Sequence, residues 1–229
     1  MAPKDIRTND GRLISELDNK DFRVVVFGSA RIKPGDKIYE QVFSIGKAVG
    51  AMGADIVTGG GPGLMEAANK GHMAGKIAGD DAHSIGVGIK LPFEESLNKH
   101  IDFKDEHDHF STRLDMFMAL SNIVVVAPGG IGTLLELAYT WQLIQVGHIC
   151  KTPIILVGKM WKDLLEWVKR DMVAQGLVSP GDLDFIHVVK NEHEAIAIIH
   201  ETKAMFEEGC YDACLNWHKY KQVLKNMQD

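Results

Sequence analysis

Ile123-Val124-Val125-Val126-Ala127-Pro128-Gly129-Gly130-Ile131-Gly132-Thr133 is the stretch on which the fold turns. Five apolar residues, mostly β-branched, run without a polar interruption, which marks a strand buried on both faces. Glycines follow at once, and residues 133–146 then carry a helical spacing. The same grammar recurs outward in both directions. Residues 22–27 (FRVVVF) lead into Gly28-Ser29, and residues 55–58 (DIVT) lead into Gly59-Gly60-Gly61-Pro62-Gly63. Residues 84–89, 153–157 and 185–189 read as further short strands. Helical spacing lies between them at 38–52, 64–76, 111–120, 161–175 and 192–206.

Strand and helix alternate, and the strands are continuous apolar runs. The expectation is a doubly wound, Rossmann-like α/β fold: a mostly parallel sheet with helices on both faces. Ligands of such sheets bind outside the carboxyl ends of the strands, and three of those ends carry the glycines. Residues 22–209 form the expected nucleotide-binding domain, preceded by an arm at 1–21 and followed by a helical extension at 210–229. Residues 92–108 are charged and irregular and read as a flap or loop, with a brief strand at 101–103. His107 and His109, set among Asp105, Glu106 and Asp108, lack a helical i, i+4 ligand pair and read as a solvated loop, so no metal site is expected.

The formal net charge of -6 argues against nonspecific nucleic-acid binding, which needs a basic surface. A single nucleotide in a local positive pocket stays compatible with it. Three cysteines, Cys150, Cys210 and Cys214, form neither a disulfide framework nor a zinc set. No apolar run approaches the roughly 18 residues of a membrane span, and no signal-peptide pattern opens the chain. The expected place of action is the cytoplasm, with no membrane partner.

Glycine allows an anion to approach backbone amides closely, and a helix starting there aims free N–H groups and a positive dipole end at it. Two such turns at the strand ends of one sheet indicate an anion cradle. The candidates for holding a phosphorylated ligand are Gly28, Ser29, Gly59, Gly60, Gly61, Gly63, Met65, Glu66, Pro128, Gly129, Gly130, Gly132 and Thr133. Neither the Walker spelling nor the G-x-G-x-x-G dinucleotide fingerprint is present.

Gly59-Gly60-Gly61-Pro62-Gly63-Leu64-Met65-Glu66 and Pro128-Gly129-Gly130-Ile131-Gly132-Thr133-Leu134-Leu135-Glu136 resemble the signatures of the Lonely Guy family, whose members are often mislabelled lysine decarboxylase. The resemblance covers residues 23–189. It implies a Rossmann-like homodimer that cleaves the base–sugar bond of nucleoside 5'-monophosphates, cytokinin riboside monophosphates among them. It implies no cofactor. It places the catalytic glutamate on Glu136 and the catalytic arginine on Arg113. The family's lysine after that arginine is replaced by Leu114, and its frequent histidine two residues earlier by Ser111.

Breaking an N-glycosidic bond builds positive charge on the ribose. A fixed carboxylate stabilises that charge and orients water, the role expected of Glu136. Arg113 can pair with the phosphate or assist the departing base. A purely structural alternative exists, because Thr133-Leu134-Leu135-Glu136 spells a capping box in which the glutamate would bind the Thr133 N–H. A second functional class is a non-catalytic carrier of a phosphorylated ligand such as molybdenum cofactor. A pyridoxal-dependent decarboxylase finds no marked Schiff-base lysine.

Overall fold

The computed structural model describes residues 7–8, 21–90 and 97–209. The arm expected at 1–21 and the extension at 210–229 therefore lie almost wholly outside the described residues, as do Cys210, Cys214 and part of the 92–108 segment.

The strands are β1 (Arg7–Thr8), β2 (Arg23–Phe27), β3 (Asp55–Thr58), β4 (Ser84–Ile89), β5 (Phe103–His107), β6 (Ile123–Val126), β7 (Ile154–Val157) and β8 (Ile186–Val189). They form one sheet in the order β1-β5-β4-β3-β2-β6-β7-β8. The neighbours from β5 through β8 pair in parallel, and β1 is antiparallel to β5. The helices are α1 (Lys37–Ala51), α2 (Leu64–Gly75), α3 (Phe110–Ala119), α4 (Ile131–Gln145), α5 (Lys159–Trp167) and α6 (Glu192–Glu207). The expected doubly wound sheet is the fold observed.

Residue alternation along the strands builds two cores. Val24, Val26 and Ile56 join α1, α2 and α6 in one, while Val25, Phe27 and Val57 join α3, α4 and α5 in the other. The helix expected at 161–175 begins at Lys159 and passes at Val168 into a π-helical segment, Val168–Val173.

Three expectations are corrected. The charged segment contains a strand at Phe103–His107 rather than at 101–103. Its side chains alternate, so Phe103, Asp105 and His107 are buried while Lys104 is exposed. His107 is therefore not solvated: it is 0% exposed, with Nε2 2.9 Å from Asp105 Oδ2 and Nδ1 3.1 Å from the Thr112 hydroxyl. Polar residues at alternate positions formed a strand because partners for burial came from the same strand and from α3. The helix after Gly130 also starts earlier than expected, at Ile131.

α1 and α2 lie against each other so closely that glycine is obligatory. A Cβ on Gly71 would lie 2.1 Å from the Phe43 carbonyl oxygen, and one on Gly46 2.3 Å from that of Ala68. An alanine inside a helix normally gains about 0.5–1 kcal/mol over glycine. Here the sign reverses. Gly71→Ala is expected to lose about 1–3 kcal/mol through forced separation of the helices, read as a lower urea midpoint at unchanged slope.

Candidate active site at the sheet switch point

β2 pairs with β3 on one side and β6 on the other, so chain direction across the sheet reverses between β2 and β6. A crevice opens outside the carboxyl ends at such a reversal. It is occupied by a cavity of about 720 Å³, within the range of about 300–1,000 Å³ usual for small-molecule sites. Phe27, Gly28, Ser29, Ala30 and Arg31 come from the end of β2, and Gly59, Gly61 and Met65 from the turn between β3 and α2. Arg113 comes from α3, and Gly129, Gly130, Ile131, Gly132, Thr133 and Glu136 from the start of α4.

α4 presents the more open of the two glycine turns. Its first intrahelical bond runs from the Leu134 N–H to the Gly130 carbonyl, 3.0 Å. The amides of Ile131, Gly132 and Thr133 precede it and have no carbonyl within the helix to bind. A Cβ built on Gly130 or Gly132 meets nothing within 4 Å, so space rather than protein lies beside both. The Thr133 hydroxyl folds over Gly129, where a Cβ would lie 2.1 Å from it.

The α2 turn is more engaged internally. The Gly60 N–H donates to the Thr58 hydroxyl (3.0 Å), and the Leu64 N–H donates to the Ser29 carbonyl (2.9 Å). Gly63 has φ +71°, a conformation open to glycine, and a Cβ there would lie 2.5 Å from the Ser29 oxygen. This turn therefore docks the end of β2 onto α2. Gly60, Gly63, Glu66 and Pro128 do not line the cavity. Glu66 instead approaches His100, with Oε1 4.0 Å from its Nε2.

Arg113 and Glu136 meet across the cavity wall. The guanidinium Nη1 lies 3.6 Å from Glu136 Oε1, and each side chain is 12% exposed. Arg113 Nε donates to the Val87 carbonyl at 2.9 Å, and its guanidinium lies 5.1 Å from the Phe117 ring centre. A Cβ on Gly59 would lie 2.4 Å from Nη2, so that glycine makes room for the guanidinium. Carbonyl, ring and glycine together fix the fork.

Thr133 is the third residue of α4 and Gly130 its N-cap, without a side-chain capping bond. The capping-box alternative for Glu136 is thereby removed, since that box requires Thr133 at the N-cap. The Glu136 carboxyl is pushed up to about 7 because burial disfavours its charged form more than Arg113 favours it. Leu114 is buried and does not line the cavity, nor does Ser111.

Arg31, Ile89, Phe110 and Ile131 line the cavity unforeseen. Phe110 and Ile131 adjoin the motif residues but carry no polar signal. Arg31 follows Gly28-Ser29 by two positions, a proximity that sequence alone does not distinguish from an ordinary loop arginine. Among the described residues no group of three or more His, Cys, Asp or Glu is placed to hold a metal ion, and no helix is long and apolar enough to cross a membrane.

A doubly wound parallel sheet with a glycine-lined crevice at its reversal point defines a Rossmann-like α/β protein. Residues 65–199 match the family model described as "Possible lysine decarboxylase". The chain belongs to that family, the Lonely Guy family whose two glycine signatures it carries. A pyrimidine/purine nucleotide 5'-monophosphate nucleosidase of Escherichia coli K12 is 29% identical over 140 residues, which cover 59% of this chain and 30% of the relative. The match thus spans under a third of that relative's length. Molybdenum cofactor carrier protein from Chlamydomonas reinhardtii has the same fold, with a TM-score of 0.60, 20% identity, and coverage of 80% of this chain and 99% of that one. The molybdenum cofactor binding protein of Rippkaea orientalis gives a TM-score of 0.56 at 19% identity, covering 80% and 97%.

A carboxyl titrating near 7 when folded and near 4.5 when free holds its proton more tightly in the native state. Stability contributed by this group is therefore full at low pH and falls as pH rises from about 4.5 to about 7, then levels. Glu136→Gln removes this dependence. Its stability advantage over the parent is expected to grow across that window and reach on the order of 1–3 kcal/mol by pH 8, measured by urea unfolding at each pH.

Proposed function

We propose that this protein hydrolyses the N-glycosidic bond of nucleoside 5'-monophosphates, AMP or an N6-modified AMP being the first to test, to free base and ribose 5-phosphate. One observation carries the reading: a desolvated carboxylate, Glu136, sits beside a fixed arginine in the cavity that also exposes the open amides of α4. Glu136 follows Gly132 and Thr133 by about one helical turn, some 4.5–6 Å along the axis. That spacing suits a ribose whose 5'-phosphate rests on the amides and whose C1' faces the carboxylate. The nucleotide nucleosidase similarity supports the same substrate class.

In this scheme the phosphate binds the amides of Ile131, Gly132 and Thr133, where the helix dipole favours an anion. The C1'–N bond then breaks, leaving an oxocarbenium-like ribose. Ionised Glu136 stabilises that charge and orients the water whose oxygen bonds to C1'. The water's proton ends on the solvent-exchanging pool or the base, whose electron pair needs one. Arg113 pairs with the phosphate or with the departing base.

The competing reading is a carrier of a phosphorylated cofactor, consistent with the fold shared with molybdenum cofactor carriers. The buried Arg113–Glu136 pair favours hydrolysis, because a carrier has no need of a desolvated carboxylate beside bound ligand. A homodimer is also proposed. α4 is apolar on several sides, with Ile131 83% and Leu135 44% exposed, and Leu134, Trp141 and Trp167 line a groove of about 380 Å³ between α4 and α5. Exposed apolar residues grouped along one helix mark a surface that a partner covers, and a second copy would cover it.

Glu136→Ala and Arg113→Ala are each expected to lower base release by about 10²-fold or more while leaving the fold intact, scored by chromatography of free base across a nucleotide panel. Unchanged turnover in Glu136→Ala would remove the catalytic assignment, and no product from any nucleotide would favour the carrier. Because the carboxylate must be ionised, kcat/KM is expected to rise with pH and reach half its plateau near pH 7. Gly132→Ala adds a methyl group where the protein leaves open space. Stability is expected to hold within about 0.5 kcal/mol while KM rises, as a crowded phosphate requires.

A further inference from the structure

We infer that Asn98 is a positioning residue that turns the Gly61 amide into the cavity as an additional phosphate donor. This rests on the proposed binding of a phosphorylated ligand but concerns a residue outside both glycine signatures.

Asn98 is clamped to the back of the turn between β3 and α2. Its backbone N–H donates to the Gly60 carbonyl at 2.7 Å. Its side-chain amide donates to the same carbonyl at 3.0 Å and to the Gly61 carbonyl at 3.1 Å. In a trans peptide the C=O of one residue and the N–H of the next point in opposite directions, and the described residues contain no cis bond. Fixing the Gly60 carbonyl on Asn98 therefore aims the Gly61 N–H the other way. Gly61 lines the cavity and Gly60 does not, so the other way is toward the ligand space.

The lock is itself anchored. Asn98 Nδ2 also lies 3.0 Å from Asn69 Oδ1, and Asn69 Nδ2 donates to the Ser84 hydroxyl at 2.9 Å. Asn98 Oδ1 accepts from the His100 N–H at 3.0 Å. The segment that carries Asn98 is admitted by missing side chains. A Cβ on Gly60 would lie 2.5 Å from Leu97 Cδ2, and one on Gly86 2.5 Å from Ile101 Cδ1. Gly60 has φ +74°, so its conformation as well as its size requires glycine. A polar network of this extent around one turn holds a backbone orientation that the turn's own glycines would otherwise leave free.

The test uses the full chain and two probes, ribose 5-phosphate and inorganic phosphate, titrated by calorimetry against the parent, Asn98→Asp and Asn98→Ala. Asn98→Asp keeps the shape but places acceptors against the two carbonyls; Asn98→Ala removes the donors without adding charge, and serves should the aspartate variant fail to fold. Both folded variants are expected to bind the probes at least tenfold more weakly. KM for the nucleotide substrate should rise by a similar factor with kcat within about threefold, since Glu136 and Arg113 are untouched. A merely structural role would lower kcat through the folded fraction and leave KM unchanged. Wild-type probe affinity in a folded variant, or no probe binding by the parent, overturns the inference. Failure of the hydrolase reading shows separately, as a parent that binds phosphate and releases no base.

Discussion

β2 is paired on both edges, with β3 at one and β6 at the other, and the remaining architecture follows from that double pairing. Its two neighbours are reached by crossovers that leave in opposite directions across the sheet. Three carboxyl ends therefore converge with no helix spanning the gap between them. The turns at those ends face one another across the opening, and those after β3 and β6 must leave the strand sharply enough to start a helix within a few residues. Glycine meets that demand at Gly59 to Gly63 and Gly129 to Gly132, while Gly28 lets the end of β2 lie against Leu64 and Ala127.

The two glycine turns share a spelling but differ in physical use. In the β6–α4 turn, Gly130 and Gly132 border open space, and the early amides of the helix stay available. In the β3–α2 turn the glycines admit neighbours: Ser29 and Ala30 against Gly63, Arg113 and Met65 against Gly59, Leu97 against Gly60. The first turn borders the cavity with open space, while the second packs largely against the protein that walls it. Arg113 belongs to both, since its guanidinium packs on Gly59 and approaches Glu136.

The sheet was legible in the sequence because buried parallel strands are written as unbroken apolar runs, and Ile123 to Val126 is the clearest. The cavity's motif residues were legible because turns of this kind need glycine in a fixed order. Phe103–His107 was not, since a strand whose inward residues include aspartate and histidine has no apolar signature, and its burial depends on Thr112 in another element. The glycines at 86 and 88 were a signal that could have been read. Glycine inside a strand marks close backbone or side-chain approach, and Leu97 and Ile101 are what approaches. Asn98 itself could not have been found this way, because the main-chain carbonyls it holds, those of Gly60 and Gly61, are distant in sequence.

Asp105 and His107 have a bearing on assembly of the sheet. Their side chains face inward at alternate positions of β5 and bond each other within the strand, and the alignment with β4, in which Val87 meets Asp105 and Ile89 meets His107, goes with that inward placement. A slip by one residue would send Lys104 and Glu106 inward and expose Phe103. Two charged side chains would then leave water for the interior, and desolvating each costs several kcal/mol. The alternation along β5 thus acts as a proofreading mark against misaligned pairing, near the side of the sheet where the pairing is least constrained by hydrophobic pattern.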